Sequence, residues 1–341
     1  MRGHQERVYG DAETFYSILP TDDGGAVVAG SAAFPDTPDY RPWLLALDAH
    51  GNTLWSSEDT FTAGLDVDSA IVRAIRLADS RYALAGGANT MTNPEDPWVL
   101  LTNSTGHLQS FTRFETLGTP GFGVATYINN LTATDEGGFV ATGNVSGGLG
   151  LAFLWKFDAH GNPEWDRLYQ DEFFREGFSL RPLADGYAIT GCDLPNCNHA
   201  TVVRTDTTGA VLWTTVLDDP NGRRSFGRDL VALPSGELLL LQTLDAAAGS
   251  RVIETELVTL SATGERLGTE SLVVGQVTTA GYRLSRTDEG ELWVGGYAGD
   301  TSNPNAIDLL ILLPQEQGFG TLIFTSGFES GYLGGWLAHS D

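Results

Sequence analysis

Leu47-Asp-Ala-His-Gly-Asn-Thr-Leu-Trp55 is the stretch of this sequence that decides its fold, because it recurs along the chain. Close copies run from Phe157 to Trp165 and from Thr205 to Trp213. Weaker copies without the tryptophan run from Thr102 to Gly106 and from Leu260 to Gly264. The five turn glycines lie 55, 55, 48 and 55 residues apart, at Gly51, Gly106, Gly161, Gly209 and Gly264. A period of this length is typical of a repeated four-stranded sheet.

A second repeated element precedes the turn. It is an apolar hairpin arm that ends in glycine, and its clearest copies run from Gly25 to Gly30, Gly138 to Gly143, Gly186 to Gly191 and Gly290 to Gly295. Glycine at such corners supplies the positive φ that tight hairpins require. The first unit is therefore predicted to hold four strands, Phe15 to Leu19, Ala26 to Ser31, Trp43 to Asp48 and Thr53 to Ser57.

Six such units fit the chain, which predicts an all-β, six-bladed β-propeller of four-stranded antiparallel blades. The sixth unit shows three strands, Tyr282 to Arg286, Glu291 to Tyr297 and Ile307 to Leu313, and requires a fourth. We expect the N-terminal strand at residues 5–9 to supply it, since this closes the ring and removes the open sheet edges. The propeller is expected over residues 1–318 and a short C-terminal tail, with its Gly-Phe-Glu-Ser-Gly segment, over 319–341.

The hairpin at Asp23-Gly-Gly25, followed by Leu-Asp-x-x-Gly-Asn-x-x-Trp, resembles the β-propeller repeats of bacterial secreted and cell-surface proteins. The resemblance covers about residues 5–313 and implies a propeller, in families whose ligands are diverse. Asp48, Gly51 and Trp55 are also similar to the tryptophan-docking motif of quinoprotein dehydrogenase propellers, which implies that each tryptophan packs between neighbouring blades. The quinone-binding residues of those enzymes have no match here, so no quinone cofactor is expected.

The composition is strongly acidic, with 44 Asp and Glu against 19 Lys and Arg and a net charge of −25. This charge argues against nucleic acid and anionic membranes as partners. No stretch approaches the roughly 20 apolar residues of a membrane span, and the first residues lack the apolar core of a leader peptide. Cys192 and Cys197 suit a local disulfide in an oxidising compartment, with two free thiols as the alternative. We expect an extracellular or periplasmic monomer whose leader is absent from this sequence, or else a cytosolic protein.

Few residues suggest chemistry. The motifs of nucleophile elbows, phosphate loops and zinc helices are missing from the sequence. His50, His107 and His160 fall in or beside the same turn of separate units, which places them on different hairpins and not around one ion. His199 beside the two cysteines is a weak alternative for a metal site. The first strands of the units carry polar residues that would line a central channel: Arg73, Arg76, Asn129, Asn130, Arg181, Asp229, Arg283 and Arg286.

The connections on one face of the predicted disc are short and uniform, and those on the other face are long and irregular. Variable loops on a rigid frame are where binding usually resides. The candidate ligand-binding residues on this long-loop face are Tyr40, Asp66, Asp68, Phe173, Phe174 and Asp218. Acidic side chains beside exposed aromatic ones suit a basic protein, a glycan or loosely held Ca²⁺.

The sequence thus favours a non-catalytic, extracytoplasmic binding scaffold with a protein or glycan ligand. Two alternatives stay open. One is a glycan-binding or glycan-active propeller enzyme, which would gather acids or arginines at the channel. The other is a quinoprotein-like oxidoreductase.

Overall fold

The computed structural model describes residues 13–33, 40–57, 69–88, 97–114, 126–146, 150–170, 174–193, 195–245, 253–272, 278–287, 290–299, 307–315 and 318–324. Over these residues the protein is all-β, and its strands form six four-stranded antiparallel sheets, I to VI, each built from strands consecutive in the chain. This organisation is consistent with a β-propeller. In the part of the chain so described, no helix is long and apolar enough to cross a membrane.

The chain divides into two compact units, and the first, Met1–Leu168, holds sheets I to III. Sheet I consists of β1 (Glu13–Pro20), β2 (Ala26–Ala33), β3 (Tyr40–Leu47) and β4 (Thr53–Ser56). Sheet II consists of β5 (Ser69–Arg76), β6 (Tyr82–Ala88), β7 (Pro97–Thr102) and β8 (Leu108–Arg113). Sheet III consists of β9 (Thr126–Ala133), β10 (Phe139–Val145), β11 (Leu151–Phe157) and β12 (Pro163–Leu168).

The second unit, Tyr169–Asp341, holds sheets IV to VI. Sheet IV consists of β13 (Phe174–Leu183), β14 (Gly186–Asp193), β15 (Ala200–Thr205) and β16 (Val211–Leu217). Sheet V consists of β17 (Ser225–Ala232), β18 (Leu238–Leu244), β19 (Glu254–Leu260) and β20 (Arg266–Ser271). Sheet VI consists of β21 (Thr278–Arg286), β22 (Leu292–Gly299), β23 (Ile307–Gln315) and β24 (Gly318–Phe324).

The hydrophobic core lies between consecutive sheets of a unit. Leu44 and Trp98, both fully buried, belong to the layer that joins sheets I and II. Leu240 and Leu230 belong to the layer between sheets IV and V. Both faces of the middle strands are therefore covered, which explains why β7, β14, β15 and β18 are buried along their whole length.

The repeated turn between the third and fourth strands is held by its acidic residue. In sheet I the Asp48 carboxylate accepts hydrogen bonds from the backbone N–H groups of His50 and Asn52, each at 2.8 Å. Asp158 and Asp206 make the same pair of bonds in sheets III and IV. The turn glycine has positive φ in all five copies, for example 80° at Gly51, so the sequence repeat is a requirement of this turn. The histidines beside it belong to separate turns, and the His160 side chain is 82% exposed.

The glycine that ends the apolar arm is required for a different reason. The first strand of each sheet carries a β-bulge, which shifts its register against the second strand. The bulge pushes a carbonyl toward the second strand, and a Cβ at Gly143 or Gly191 would overlap the carbonyl oxygen of Tyr127 or Glu176. Glycine is thus required there by close backbone approach.

Sheet VI corrects the expected closure. Its fourth strand is β24, which pairs with β23 from Gln315 opposite Gly318 to Leu309 opposite Phe324. The place that we assigned to residues 5–9 is therefore taken by a strand from the next few residues of the chain, and the sheet runs on into the expected tail. A local hairpin needs little loop-closure entropy, whereas recruiting the distant N-terminus needs much more. Residues 5–9 themselves lie outside the described part of the chain.

Two of the docking tryptophans, Trp55 and Trp213, pack onto the next sheet, as the resemblance implied. A Cβ at Gly106 would overlap the Trp55 ring, so the turn of sheet II rests directly on a side chain of sheet I. In the second unit Trp213 lies against Gly264 and donates a hydrogen bond from its indole N–H to the Ala262 carbonyl at 3.0 Å. Both tryptophans are half-buried.

Candidate functional site

The bulges set at least one side chain of each first strand apart from the regular alternation. The residues passed over by the pairing are Tyr16, Val72, Asn129, Arg175, Phe178, Arg228 and Tyr282. β-Bulges are over-represented next to active sites because they re-aim a side chain. The last three of these residues come together in the second unit.

Phe178, Phe226, Arg228 and Tyr282 form what we call the arginine–aromatic cluster. The guanidinium carbon of Arg228 lies 4.8 Å from the ring centre of Phe226, 5.2 Å from that of Tyr282 and 5.7 Å from that of Phe178. Sheets IV, V and VI each contribute at least one of these residues from their first strands. Distances of this size are cation–π contacts.

The cluster is half-open to solvent. Tyr282 is 41% exposed, and Phe178, Phe226 and Arg228 are partly buried. Arg228 is held in place by a hydrogen bond from its Nε to Thr243 Oγ1 at 2.8 Å. The site therefore presents aromatic rings and a fixed positive charge on one surface.

Asp229, the residue after Arg228, links the first strands that carry the cluster. Its carboxylate is buried and accepts hydrogen bonds from Ser179 Oγ at 2.6 Å, Arg181 at 3.2 Å and the Leu284 backbone N–H at 3.0 Å. These donors come from sheets IV and VI, while Asp229 belongs to sheet V. A buried carboxylate with this many donors is an acceptor fixed in place, so Asp229 ties the three first strands together.

Arg283 follows Tyr282 at the edge of the cluster. Its side chain is exposed, yet the surrounding protein removes it partly from bulk water, and this desolvation lowers the pKa of its guanidinium. An arginine side chain keeps its positive charge at neutral pH in proteins. The NH1 group of Arg283 donates a hydrogen bond to the backbone carbonyl of Tyr282 at 3.3 Å, so Arg283 adds a second positive charge close to this residue of the cluster.

This arrangement can bind a molecule that has both apolar faces and polar or anionic groups. Aromatic rings offer flat apolar contact area, and a guanidinium offers several fixed donors. A sugar ring has C–H groups on its faces and hydroxyl or carboxylate groups on its rim. The cluster matches both features.

The sequence-predicted site residues are placed differently. Phe174 is fully buried and packs near the Tyr169 ring, 6.4 Å away, so the expectation of an exposed aromatic side chain there is wrong. It begins β13, and its apolar ring is covered because the strand enters the core at once. Tyr40 begins β3, but its side chain is outside the described set, as are Asp66, Asp68 and Phe173 altogether.

Asp218 is exposed, as expected, and lies beside the disulfide loop. His199 stands between two carboxylates, with Nδ1 2.7 Å from Asp193 Oδ2 and Nε2 3.5 Å from Asp218 Oδ1. The Asp193 carboxylate also accepts the backbone N–H of Asn198 at 2.7 Å, which shapes the loop.

Cys192 and Cys197 are bonded to each other, which confirms the predicted disulfide. Within the described residues, one group of possible metal ligands is found, and it consists of these two cysteines and Glu176, with ligand atoms within 4.8 Å of one another. Because the sulfurs are joined, they offer no thiolates, and a single carboxylate remains. The disulfide form of this group does not fit a metal site.

The first unit has a depression of its own, a cavity of about 260 Å³ between sheets I and II. Trp55, Tyr82 and Arg76 line it. Arg76 is bound there by both oxygens of Asp22, at 2.8 and 2.7 Å, and this hydrogen bonding lowers the pKa of the Asp22 carboxyl. The Trp55 ring that lines this cavity is a docking tryptophan, and Arg76 is already neutralised by Asp22. We therefore rank the cavity below the arginine–aromatic cluster.

The sequence contained a signal for the cluster. The four-residue pattern Gly177-Phe-Ser-Leu180 recurs as Gly227-Arg-Asp-Leu230 and Gly281-Tyr-Arg-Leu284, with the bulged residue directly after the glycine. Sequence reasoning identified Arg181, Asp229 and Arg283 as inner-strand residues but missed Phe178, Phe226, Arg228 and Tyr282.

No protein-family model matches the chain. No curated protein matches it in sequence. Solved structures share its fold: a protein of unknown function from Dyadobacter fermentans has a TM-score of 0.56 at 12% identity, over 90% of this chain and 97% of that one. A polysaccharide lyase, ulvan lyase, has a TM-score of 0.57 at 10% identity, over 92% of this chain and 85% of that one.

The ulvan lyase structure with bound -[GlcA(1-4)Rha3S]- is similar to the same degree, with a TM-score of 0.56 at 10% identity over 93% of this chain and 86% of that one. The fold of this chain is therefore shared with a glycan-degrading enzyme. Our expectation of a non-catalytic binding scaffold is wrong by this comparison.

Proposed function

We propose that this protein is a glycan-active enzyme with the architecture of a closed six-bladed β-propeller, and that it binds its substrate at the arginine–aromatic cluster. The observation that carries the proposal is the meeting of Phe178, Phe226 and Tyr282 around Arg228. Three successive sheets contribute to it, so the cluster is a product of the fold and not of one loop.

The architecture is supported by the sheets themselves. The described residues form six sheets of four strands, and Trp55 in the first unit and Trp213 in the second pack onto the turn of the next sheet. In a propeller the first strand of each blade is innermost, so a closed ring would put the cluster on the wall of the central channel. Binding sites are commonly concave, with apolar walls and a few polar groups.

The substrate class is supported by the chemistry of the cluster and by the fold likeness to a polysaccharide lyase. Hydrolysis of a glycosidic bond needs two carboxyl groups that flank it. In the described first strands of sheets IV to VI the carboxylates are Glu176 and Asp229, and Asp229 is already engaged by its donors. The fold likeness to a polysaccharide lyase favours elimination instead, in which a base removes the proton beside a carboxylate, a C=C bond forms and the glycosidic C–O bond breaks with protonation of its oxygen.

The disulfide supports a location outside the cytoplasm, since such bonds persist in oxidising compartments. We propose an extracellular or periplasmic protein. A substrate polysaccharide would be encountered in the same place.

The experiment is a degradation screen with purified protein on neutral and acidic polysaccharides. New reducing ends report any cleavage, and ultraviolet absorbance of an unsaturated sugar reports elimination. Tyr282→Ala and Phe226→Ala should lower the rate or the affinity at least tenfold with a nearly unchanged melting temperature. The matched control is Leu212→Ala, a 56% exposed apolar side chain on a fourth strand, which should have no effect. If no polysaccharide is bound or cleaved, the proposal fails.

A further inference from the structure

We infer that the ligand of the arginine–aromatic cluster is an anionic glycan, whose carboxylate or sulfate groups are read by the arginines of the first strands. The inference rests on the proposed glycan function and adds the charge class of the substrate. It depends on how charge is distributed over the strands.

The first strands have the opposite charge balance from the whole chain. They hold seven of the 19 basic residues, namely Arg73, Arg76, Arg175, Arg181, Arg228, Arg283 and Arg286. They hold three of the 44 acidic residues, namely Glu13, Glu176 and Asp229. A protein with a net charge of −25 therefore has an excess of basic residues in its first strands.

The two units use these arginines differently. In the first unit Arg76 is neutralised by the bidentate contact with Asp22. In the second unit Arg228 lies among aromatic rings, and the exposed Arg283 donates a hydrogen bond to the Tyr282 backbone carbonyl at 3.3 Å. Guanidinium groups of the second unit therefore lie close to flat apolar surface, a combination that suits a charged sugar ring.

Arg224 extends this surface. Its guanidinium carbon lies 5.1 Å from the Phe226 ring centre, on the way from Arg228 to the disulfide loop. Its Nε and NH2 groups donate to the carbonyls of Cys197 and Asn196 at 3.2 and 3.3 Å, and its NH1 group lies 3.6 Å from Asp245 Oδ2, at an exposed position; these contacts orient the side chain. Two guanidinium groups therefore contact Phe226, and successive charges of a polymer could be met by successive arginines.

The overall negative charge sharpens the inference. Long-range repulsion disfavours a polyanion anywhere else on the surface, so anionic ligands should bind locally and in a salt-dependent way. Aromatic rings with arginine are also the elements of single-stranded nucleic-acid sites, and a nucleic acid is therefore an outcome to be tested.

The test compares binding of four probes by titration: polygalacturonate for carboxylates, a sulfated galactan for sulfates, neutral arabinan, and single-stranded DNA. We expect one or both anionic glycans to bind more tightly than arabinan and to weaken as salt rises. Arg228→Gln should reduce anionic-glycan affinity about tenfold or more, and Arg228→Lys, which keeps the charge, should retain part of it. Melting temperatures show whether each variant is folded.

Arg167→Gln is the matched control, because Arg167 also lies over an aromatic ring, 5.7 Å from Trp165, but on the fourth strand of sheet III. Its affinity should equal that of the wild type. Equal loss in both variants, tighter binding of arabinan, or tighter binding of DNA would overturn the inference. If none of the glycans binds, the proposed function itself fails, and the two failures are thereby distinguished.

Discussion

Two features recur along the chain: the turns between third and fourth strands, and the bulges of the first strands. They differ in whether the side chain or the backbone is repeated. In the turns the side chain is repeated, and Asp48, Asp158 and Asp206 make the same hydrogen bonds. In the bulges the backbone shift is repeated, and the side chain changes from Tyr16 to Asn129 to Arg228. Identical side chains serve the fold, and variable ones on an identical backbone are available for a ligand.

The sharpest test of this contrast on the bulge side is Asp229→Ala. It removes a buried carboxylate that ties three sheets and that accepts hydrogen bonds from Ser179 Oγ and the Leu284 N–H. We expect a loss of about 3–5 kcal/mol in the free energy of unfolding, measured with denaturant. Asp218→Ala, at an 82% exposed side chain, should change stability by less than about 0.5 kcal/mol. Similar small losses in both variants would contradict the bridging role.

For the turns, the substitutions to compare are Gly51→Ala in sheet I and Gly106→Ala in sheet II, at equivalent positions of the repeated turn. Both glycines have nearly equal φ, 77° and 80°, but a Cβ at Gly51 meets nothing, whereas one at Gly106 meets the Trp55 ring. Gly51→Ala should cost about 1 kcal/mol from backbone strain. Gly106→Ala should cost about 1–3 kcal/mol more from overlap.

The double variant Gly106→Ala with Trp55→Ala separates the two causes. Removing the ring should relieve the overlap, so that the two substitutions together cost less than the sum of their separate effects. Additive losses in denaturant unfolding would show that Trp55 does not dock on this turn.

The disulfide loop is a connection that does not repeat. Replacing both Cys192 and Cys197 by Ser should lower the free energy of unfolding by about 2 kcal/mol, the chain-entropy value for so short a loop. Glycan affinity should fall as well if Arg224 needs the loop carbonyls for its orientation. A loss of stability above about 5 kcal/mol would show that the loop organises far more of the fold than its contacts indicate.

Asp219 makes the same kind of hydrogen bonds as the turn residue Asp48, but it does not lie in a turn between the third and fourth strands of a sheet. Its carboxylate accepts the backbone N–H groups of Asn221 and Arg223, each at 3.0 Å, and the Arg223 side chain. The side-chain hydrogen bond from Arg223 lowers the pKa of Asp219 below the ordinary 3.8. Its contribution to stability is therefore full above the unfolded pKa and is lost as the pH falls through the lower, folded pKa.

Asp219→Asn should consequently flatten the fall of stability below about pH 4, while stability near neutral pH is lower than in the wild type. Denaturant unfolding at a series of pH values measures this. An unchanged acid slope would show that the pairing with Arg223 contributes nothing. This is the smallest effect expected.

The turns made the fold predictable, because Asp, Gly and Trp at fixed spacing impose local geometry that sequence alone displays. In sheet I, the second and fourth strands were predicted at Ala26 to Ser31 and Thr53 to Ser57. They are found at Ala26–Ala33 and Thr53–Ser56. The fourth strand of sheet VI escaped prediction because Gly318–Phe324 carries neither the Asp-x-x-Gly turn nor the tryptophan.

The candidate site was less predictable for a physical reason. Phe178, Arg228 and Tyr282 lie about 50 residues apart in sequence, and they meet because three sheets place equivalent bulges side by side. Charge and exposure along one loop suggested Phe174 instead, and the core buried it. The residue pattern of a single strand does not predict which side chains from different strands will lie close together.

The measurement that tests the account most directly is a crystal structure of the protein with a bound acidic oligosaccharide. The account predicts sugar rings against Phe226 and Tyr282, with a carboxylate or sulfate within hydrogen-bond distance of Arg228 or Arg283. A ligand seated instead in the cavity beside Trp55 and Arg76, with the arginine–aromatic cluster unchanged, would contradict it.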